Sequence, residues 1–211
     1  MSANVKTREK AVMDPKYILK LTFTLLITCV IVAGLLGWVN SITKGPIADI
    51  TKTNTETAMK AVVADPASTF SDPLEITDDM TAAAATYKTK VSEAYQVTGS
   101  DGSAAGYAVK MEASGSQGTI VMMVGVDAEQ AVTGVSIVTN SETSGIGSRV
   151  MSNEVLPGSG VGVLDQFVGM SHADGDLAVG SNVDAITGAT VSSKGVTSGV
   201  NGALAVVEAM G

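Results

Sequence analysis

From Leu21 to Val39 the chain carries no charged side chain, and the uncharged run continues to Thr43. Leu, Ile and Val dominate it, with Thr22, Thr24 and Thr28 as mild polar interruptions. At about 1.5 Å per residue, such a stretch reaches across a hydrocarbon core about 30 Å thick. No other feature restricts the chain as strongly, because a lone segment in lipid satisfies its own backbone groups only as a helix. Trp38 lies at one end and Tyr17 at the other, where amphipathic rings sit at a membrane interface. A cleaved signal peptide is the competing reading, but its apolar core is usually about 7–15 residues and ends in small residues. This run is longer, and Gly37–Trp38–Val39–Asn40 is a poor cleavage site. The expectation is a retained, single-pass membrane helix over 17–43.

Charge is distributed unevenly around that helix. The formal net charge is -8, yet Lys6, Arg8, Lys10, Lys16 and Lys20 stand against only Glu9 and Asp14 in residues 1–20. Basic residues ahead of the helix predict a cytoplasmic N-terminus over 1–16 and an acidic body on the extracytoplasmic side of the cell membrane. That acidity argues against a nucleic-acid partner, which requires a basic footprint. Ala33, Gly34, Gly37 and the threonine hydroxyls fit two readings: contact with partner helices, or exposure to lipid with the hydroxyls bonded to their own backbone.

Cys29 is the only cysteine and His172 the only histidine. A disulfide framework, a multi-thiolate metal site and a cysteine-bound iron–sulfur cluster are excluded within this one chain. His172 sits in Ser171–His172–Ala173–Asp174–Gly175–Asp176, which reads as a solvated polar loop. No metal site and no catalytic residue is expected.

Past the membrane run, Gly45–Pro46 predicts a helix break. A second helical stretch is expected from Ile47 to Ala64, then loops at Asp65–Pro66, Ser71–Asp72–Pro73 and Thr77–Asp78–Asp79, one of them an N-cap, with a short helical turn over Ala82–Ala85. Residues 44–90 thus read as a helical and looped connector, with a domain over 91–211. There the period changes to two. Ser92–Val97, Gly106–Ala113, Gly118–Asp127 and Ala131–Thr139 predict an antiparallel meander of about four strands, with Met122–Met123 as core filling. Glu154–Leu156 and Leu164–Phe167 read as short helical pieces. Val196, Val200, Leu204 and Val207 recur at spacings of three or four, with Ala203 on the same face, so the chain closes on an amphipathic helix. The class is α+β, an antiparallel sheet flanked by helices behind one transmembrane helix.

Two segments carry chemistry. Asp184–Ala185–Ile186–Thr187–Gly188–Ala189–Thr190–Val191–Ser192–Ser193 is a hydroxyl-rich run leading into the last helix. Taken alone it is a turn and an N-cap. It also places Thr190 beside the first free N–H groups of a helix, where a phosphate is favoured. Asn140–Ser141–Glu142–Thr143–Ser144–Gly145–Ile146–Gly147 is dense in glycine and hydroxyls. Such loops offer backbone N–H groups to an anion or a ring edge, and they also serve simply as strand-to-helix turns. The loop lacks the Gly-Lys-Ser/Thr ending of a P-loop.

Together these segments resemble the flavin-binding subunits of respiratory ion pumps: the G subunit of the Rnf ferredoxin:NAD oxidoreductase complex and the C subunit of the sodium-pumping NADH:quinone reductase. That family carries FMN as a phosphoester on the second hydroxyl residue of Asp-x-x-Ser/Thr-Gly-Ala-Thr-x-Ser/Thr. Asp184, Thr187, Gly188, Ala189, Thr190 and Ser192 match position for position. Its second motif, Glu-Thr-Pro-Gly-Leu-Gly, appears as Glu142, Thr143, Ser144, Gly145, Ile146 and Gly147, with Ser for Pro and Ile for Leu. Length and the run Asp184–Val200 are more similar to the Rnf member of the pair.

The resemblance implies a covalent FMN on Thr190, attached by a flavin transferase that uses FAD, with Asp184 orienting the motif or that enzyme's metal. It implies an isoalloxazine lying toward Glu142, Thr143, Gly145, Ile146 and Gly147, and partners among the membrane subunits of an Rnf-type complex. The chain is then an electron relay with no complete active site of its own. The alternatives are the corresponding flavoprotein role in a sodium-pumping quinone reductase, a stand-alone membrane-tethered flavin reductase and a cofactor-free binding module.

Overall fold

The computed structural model describes residues 14–211. Lys6, Arg8 and Lys10, which support a cytoplasmic N-terminus, lie outside the described residues. The chain divides into two units after Asp49.

The first unit is helical. Helix α1 spans Pro15–Ala61, and its most apolar 18-residue window has a mean hydropathy of 2.3 with nothing in it buried. The hydroxyls of Thr22, Thr24, Thr28 and Thr43 donate to the carbonyls four residues earlier at 2.9–3.0 Å. Such bonding satisfies the hydroxyls within the helix itself, whether that face meets lipid or a partner helix. The expected break at Gly45–Pro46 does not occur, and α1 runs through Pro46. A proline inside a helix forfeits its own hydrogen bond, at about 3 kcal/mol, while the helical segments on both sides keep theirs.

The second unit, Ile50–Gly211, is built on an antiparallel sheet in sequential order: β1 (Thr69–Phe70), β2 (Lys90–Thr98), β3 (Ala104–Ser114), β4 (Thr119–Asp127) and β5 (Val132–Thr139). The four long strands are those the period-two pattern predicts. β1 is two residues long, too short for any periodicity to show. Residues 50–90, read as a connector, belong to this unit. They supply the end of α1, β1 and helix α2 (Asp78–Thr86). Thr77 is the expected cap, its hydroxyl accepting from the N–H of Met80 at 3.3 Å, and the helix it starts is longer than the expected turn.

Val109, Lys110 and Met111 are buried in succession, as are Met122, Met123 and Val124. Successive burial in a strand means that both faces of the sheet are covered. On one face, Met111, Ile120, Met122 and Val124 pack with Val196, Val200, Ala203 and Leu204 of helix α4 (Thr190–Met210) and with Met80 and Ala84 of α2. On the other, Ala58, Met59 and Val62 pack on Val97, Ala108, Met123 and Val138.

Val62 sits in a notch. Gly125 and Gly134 are cross-strand partners on β4 and β5. A Cβ on Gly125 would strike the Val62 carbonyl and the Thr133 hydroxyl, and one on Gly134 would lie 2.9 Å from the Val62 Cα. The Thr133 hydroxyl donates to that carbonyl at 2.5 Å.

Between β2 and β3, the buried Lys110 ammonium donates to Glu93 at 2.9 Å and the Tyr95 hydroxyl donates to the other carboxylate oxygen at 2.6 Å. Burial works to raise the Glu93 pKa, but the Tyr95 and Lys110 bonds outweigh it and hold the carboxyl below its ordinary value of 4.5. A carboxyl lowered on folding lends stability that is complete above the ordinary glutamate range and is lost as pH falls through the folded value. Glu93→Gln should therefore destabilise the domain at pH 7 and flatten the acid side of its stability profile. Thermal melts at pH 7 and below pH 4 check this; an unchanged slope counts against it.

Beyond β5 the chain forms helix α3 (Gly147–Met151) and a 3-10 turn over Asp165–Phe167. The expected helical piece at Glu154–Leu156 is instead half of a small hairpin: Val155 bridges Gly162, and the N–H of Leu156 donates to Val161 at 2.8 Å. Pro157 disfavours helical geometry at Leu156, and Gly158 and Gly160, with φ of 97° and 72°, turn the strand back. The fold is the α+β arrangement expected, with helices on both faces of an antiparallel sheet.

Candidate functional site

The Asp184–Ser192 segment is held from beneath and open above. Ile186 and Ala189 are buried, whereas Asp184, Thr187, Gly188, Thr190 and Val191 are exposed. The N–H of Ala189 donates to Ile186 at 2.9 Å, closing a turn with Gly188 in its third position at φ 85°. That sign of φ is what a type II turn requires there, and glycine adopts it without strain.

Thr190 is the first residue of α4. The N-cap residue is Ala189, with no side-chain cap. The turn in the plain structural reading of this run is present, and the hydroxyl cap is absent. The first intrahelical bond runs from the N–H of Ser193 to Ala189 at 2.9 Å. The N–H groups of Thr190, Val191 and Ser192 thus precede the helical ladder and carry the positive end of the helix dipole. The Thr190 side chain stands beside them on the rim of a cleft.

The facing wall is the loop between β5 and α3. The Glu142 carboxylate is its keystone. One oxygen accepts from the N–H groups of Ser116 and Gln117, at 2.7 and 3.2 Å, in the β3–β4 turn. The other accepts from the Ser192 hydroxyl in the first turn of α4, at 2.5 Å. A Cβ on Gly147 would collide with this carboxylate and lie 2.8 Å from the Ser192 oxygen, so glycine is needed there for close approach. The N–H of Gly145 donates to the Ser148 hydroxyl at 2.8 Å, and Gly145 takes φ 78°.

Glu142 therefore ties three elements together. Glu142→Ala should lower stability by about 1 kcal/mol, because it removes the tie between three elements and leaves the buried Ser192 hydroxyl without its acceptor, while the exposed Ser116 and Gln117 N–H groups turn to water. Glu142→Gln should cost less than half as much, since its amide nitrogen can face the rotatable Ser192 hydroxyl. Urea titration of the two variants tests the order.

Between the walls lies a cleft of about 150 Å³. Glu142, Thr143, Ile146 and Gly147 line one side, and Gly188, Ala189, Thr190 and Ser192 the other. Asp184, Thr187 and Gly145 do not line it. Two further lining residues escaped sequence reasoning, Ser116 and Val191. Ser116 arrives through the β3–β4 register, which no local pattern discloses. Val191 lies off the buried stripe of α4, and its place on the first turn was the available signal. With the half-exposed Ile146 it provides an apolar surface beside the polar helix end. A phosphate-bearing ring compound fits this donor set: N–H groups and a hydroxyl for the phosphate, aliphatic side chains for the ring.

His172 is not the solvated side chain expected. Its ring is 12 % exposed, bonded to Glu208 at 2.9 Å and to the buried Asn201 at 3.2 Å, and packed 5.6 Å from the Tyr87 ring. These contacts join its loop to the C-terminal half of α4, at the opposite end from Thr190.

Residues 115–205 match the model of the FMN-binding domain family, and this interval contains both motifs and both walls of the cleft. The chain is 30% identical over 212 residues to the G subunit of the Na(+)-translocating ferredoxin:NAD(+) oxidoreductase complex of Acetobacterium woodii, covering 97% of this chain and 98% of that one. It is 28% identical over 201 residues to the G subunit of the ion-translocating oxidoreductase complex of Methanosarcina acetivorans, covering 93% and 97%. Similarity that runs from end to end of both relatives, with the FMN-binding domain in place, puts this chain in the family of Rnf G subunits.

Proposed function

We propose that this chain is the membrane-anchored electron-carrier subunit of an Rnf-type ion-translocating oxidoreductase, and that its FMN is esterified to Thr190. The observation that carries this reading is the Thr190 hydroxyl at the uncapped start of α4, on the rim of a cleft walled by the second motif. The Thr190 oxygen attacks the FMN phosphorus of FAD on a flavin transferase. A new P–O bond forms, the pyrophosphate bond breaks, AMP leaves, and the hydroxyl proton passes to a base of that enzyme. The ester then keeps a soluble cofactor from diffusing away outside the membrane, and the helix end stabilises its phosphate charge.

Bound FMN supplies one- and two-electron exchange, which suits a relay between centres in neighbouring subunits. Ile146, Val191 and Thr143 would hold the ring, and Glu142 would hold the walls. Asp184 lies outside the cleft, which suits a role in meeting the transferase. Residues 17–43 of α1 would cross the lipid bilayer from a cytoplasmic N-terminus, placing the flavin domain outside. Ion transport and the nicotinamide site would belong to the other membrane subunits. Both relatives are G subunits of ion-translocating oxidoreductase complexes, which favours this complex over the quinone reductase.

Intact-mass analysis of the chain, made alongside a flavin transferase, is the test. The expected result is a gain of FMN less water, localised to the peptide containing Thr190. An unmodified peptide from such cells would overturn the proposal.

A further inference from the structure

Resting on attachment at Thr190, we infer that Gln166 is a positioning residue for flavin transfer, because its side-chain amide pins the first residue of the attachment segment. Gln166 lies in the 3-10 turn Asp165–Phe167, anchored by the buried Phe167. Its amide oxygen accepts from the N–H of Asp184 at 2.8 Å, and its amide nitrogen donates to the Asp184 carbonyl at 3.1 Å and to the Val163 carbonyl at 2.8 Å. The side chain thus pairs with the Asp184 peptide groups in both directions, as a neighbouring strand would. Its orientation is forced: a backbone N–H requires the oxygen, and two carbonyls require the nitrogen. Among the described residues, no other side chain outside α4 hydrogen-bonds the backbone of 184–190.

The consequence concerns two groups of the attachment motif. Thr190 is fixed by α4, and its far neighbour Ser192 is fixed by Glu142. Asp184 has no such helix to hold it, and its exposed side chain lies outside the cleft. Between the two lie the buried Ile186 and a tight turn. With the Gln166 bonds in place, the Asp184 backbone, from which its carboxylate projects, is held at a set position relative to the start of α4. A transferase that engages Asp184 and Thr190 then meets a preorganised pair. Without those bonds, the ordering is completed during transfer and slows it.

The experiment follows FMN incorporation into the purified full chain by a flavin transferase with FAD, read by mass and in-gel fluorescence. Gln166→Met keeps the length and lacks all three bonds. Its kcat/KM for incorporation should fall about tenfold, with the end point still one FMN on Thr190. Gln166→Glu keeps the acceptor for the Asp184 N–H but sets a carboxylate oxygen against the Val163 and Asp184 carbonyls, so it should slow loading at least as much. Glu93→Gln, across the sheet, serves as a control for general destabilisation and should load at the wild-type rate. Once loaded, the Gln166 variants should show the wild-type flavin potential, since Gln166 does not line the cleft. Either Gln166 variant that folds and loads as fast as wild type overturns the inference, as does an equal slowing in Glu93→Gln. Failure of wild type itself to load would instead overturn the attachment at Thr190.

Discussion

Thr190→Ala is expected to abolish covalent flavin completely, leaving a folded and colourless chain. The size of the effect follows from the lack of a substitute nucleophile nearby. Ser192 is buried and its hydroxyl is committed to Glu142 at 2.5 Å. Ser193 is buried and its hydroxyl donates to Ala189 at 3.1 Å. Thr187 is exposed, but it sits in the turn before the helix and does not line the cleft. Stability should change by less than about 0.5 kcal/mol, because a first-turn side chain without a capping role is lost. Thr190→Ser retains an oxygen at the same place and should retain the adduct. In-gel fluorescence under denaturing conditions, with peptide mapping, decides the matter. A fluorescent Thr190→Ala chain would sink the assignment.

Gly125→Val should destabilise the sheet domain strongly, by about 3 kcal/mol or more. Added carbons at Gly125 point into the Val62 carbonyl and the Thr133 hydroxyl. The first is backbone, so no side-chain rotation relieves the clash. The helix end must lift from the sheet, which breaks the 2.5 Å Thr133 bond and opens the cluster of Ala58, Met59, Val97, Ala108 and Met123. Valine is otherwise a good strand residue, so a simple propensity argument predicts the opposite sign. Urea denaturation of the two proteins distinguishes them, and equal or higher stability for Gly125→Val would refute the notch.

Much of the site was legible in the order of residues. Thr190 at the start of a helix followed from the spacing of Val196, Val200, Leu204 and Val207, and the loop Glu142–Gly147 followed from its composition and its place after a strand. The role of Glu142 was not legible. A glutamate in a glycine-rich loop looks like a ligand, whereas its carboxylate is taken up by Ser116, Gln117 and Ser192. Gln166 meets Asp184 across 18 residues of irregular chain, a separation no local pattern spans. His172 looked solvated because a polar loop conceals which helix it packs against.

Neighbouring residues alone account for an uncharged run long enough for lipid, the alternation that makes four strands, the amphipathic last helix, and the hydroxyl at its start. Register and docking account for the rest. Glu142 closes the cleft onto residues 26 and 50 positions away, Val62 finds the glycine notch, and α1 continues past Pro46. Hydropathy and periodicity act within a few residues of chain, so they set each element. The meeting of distant side chains is set by how those elements pack, and no local pattern carries that information.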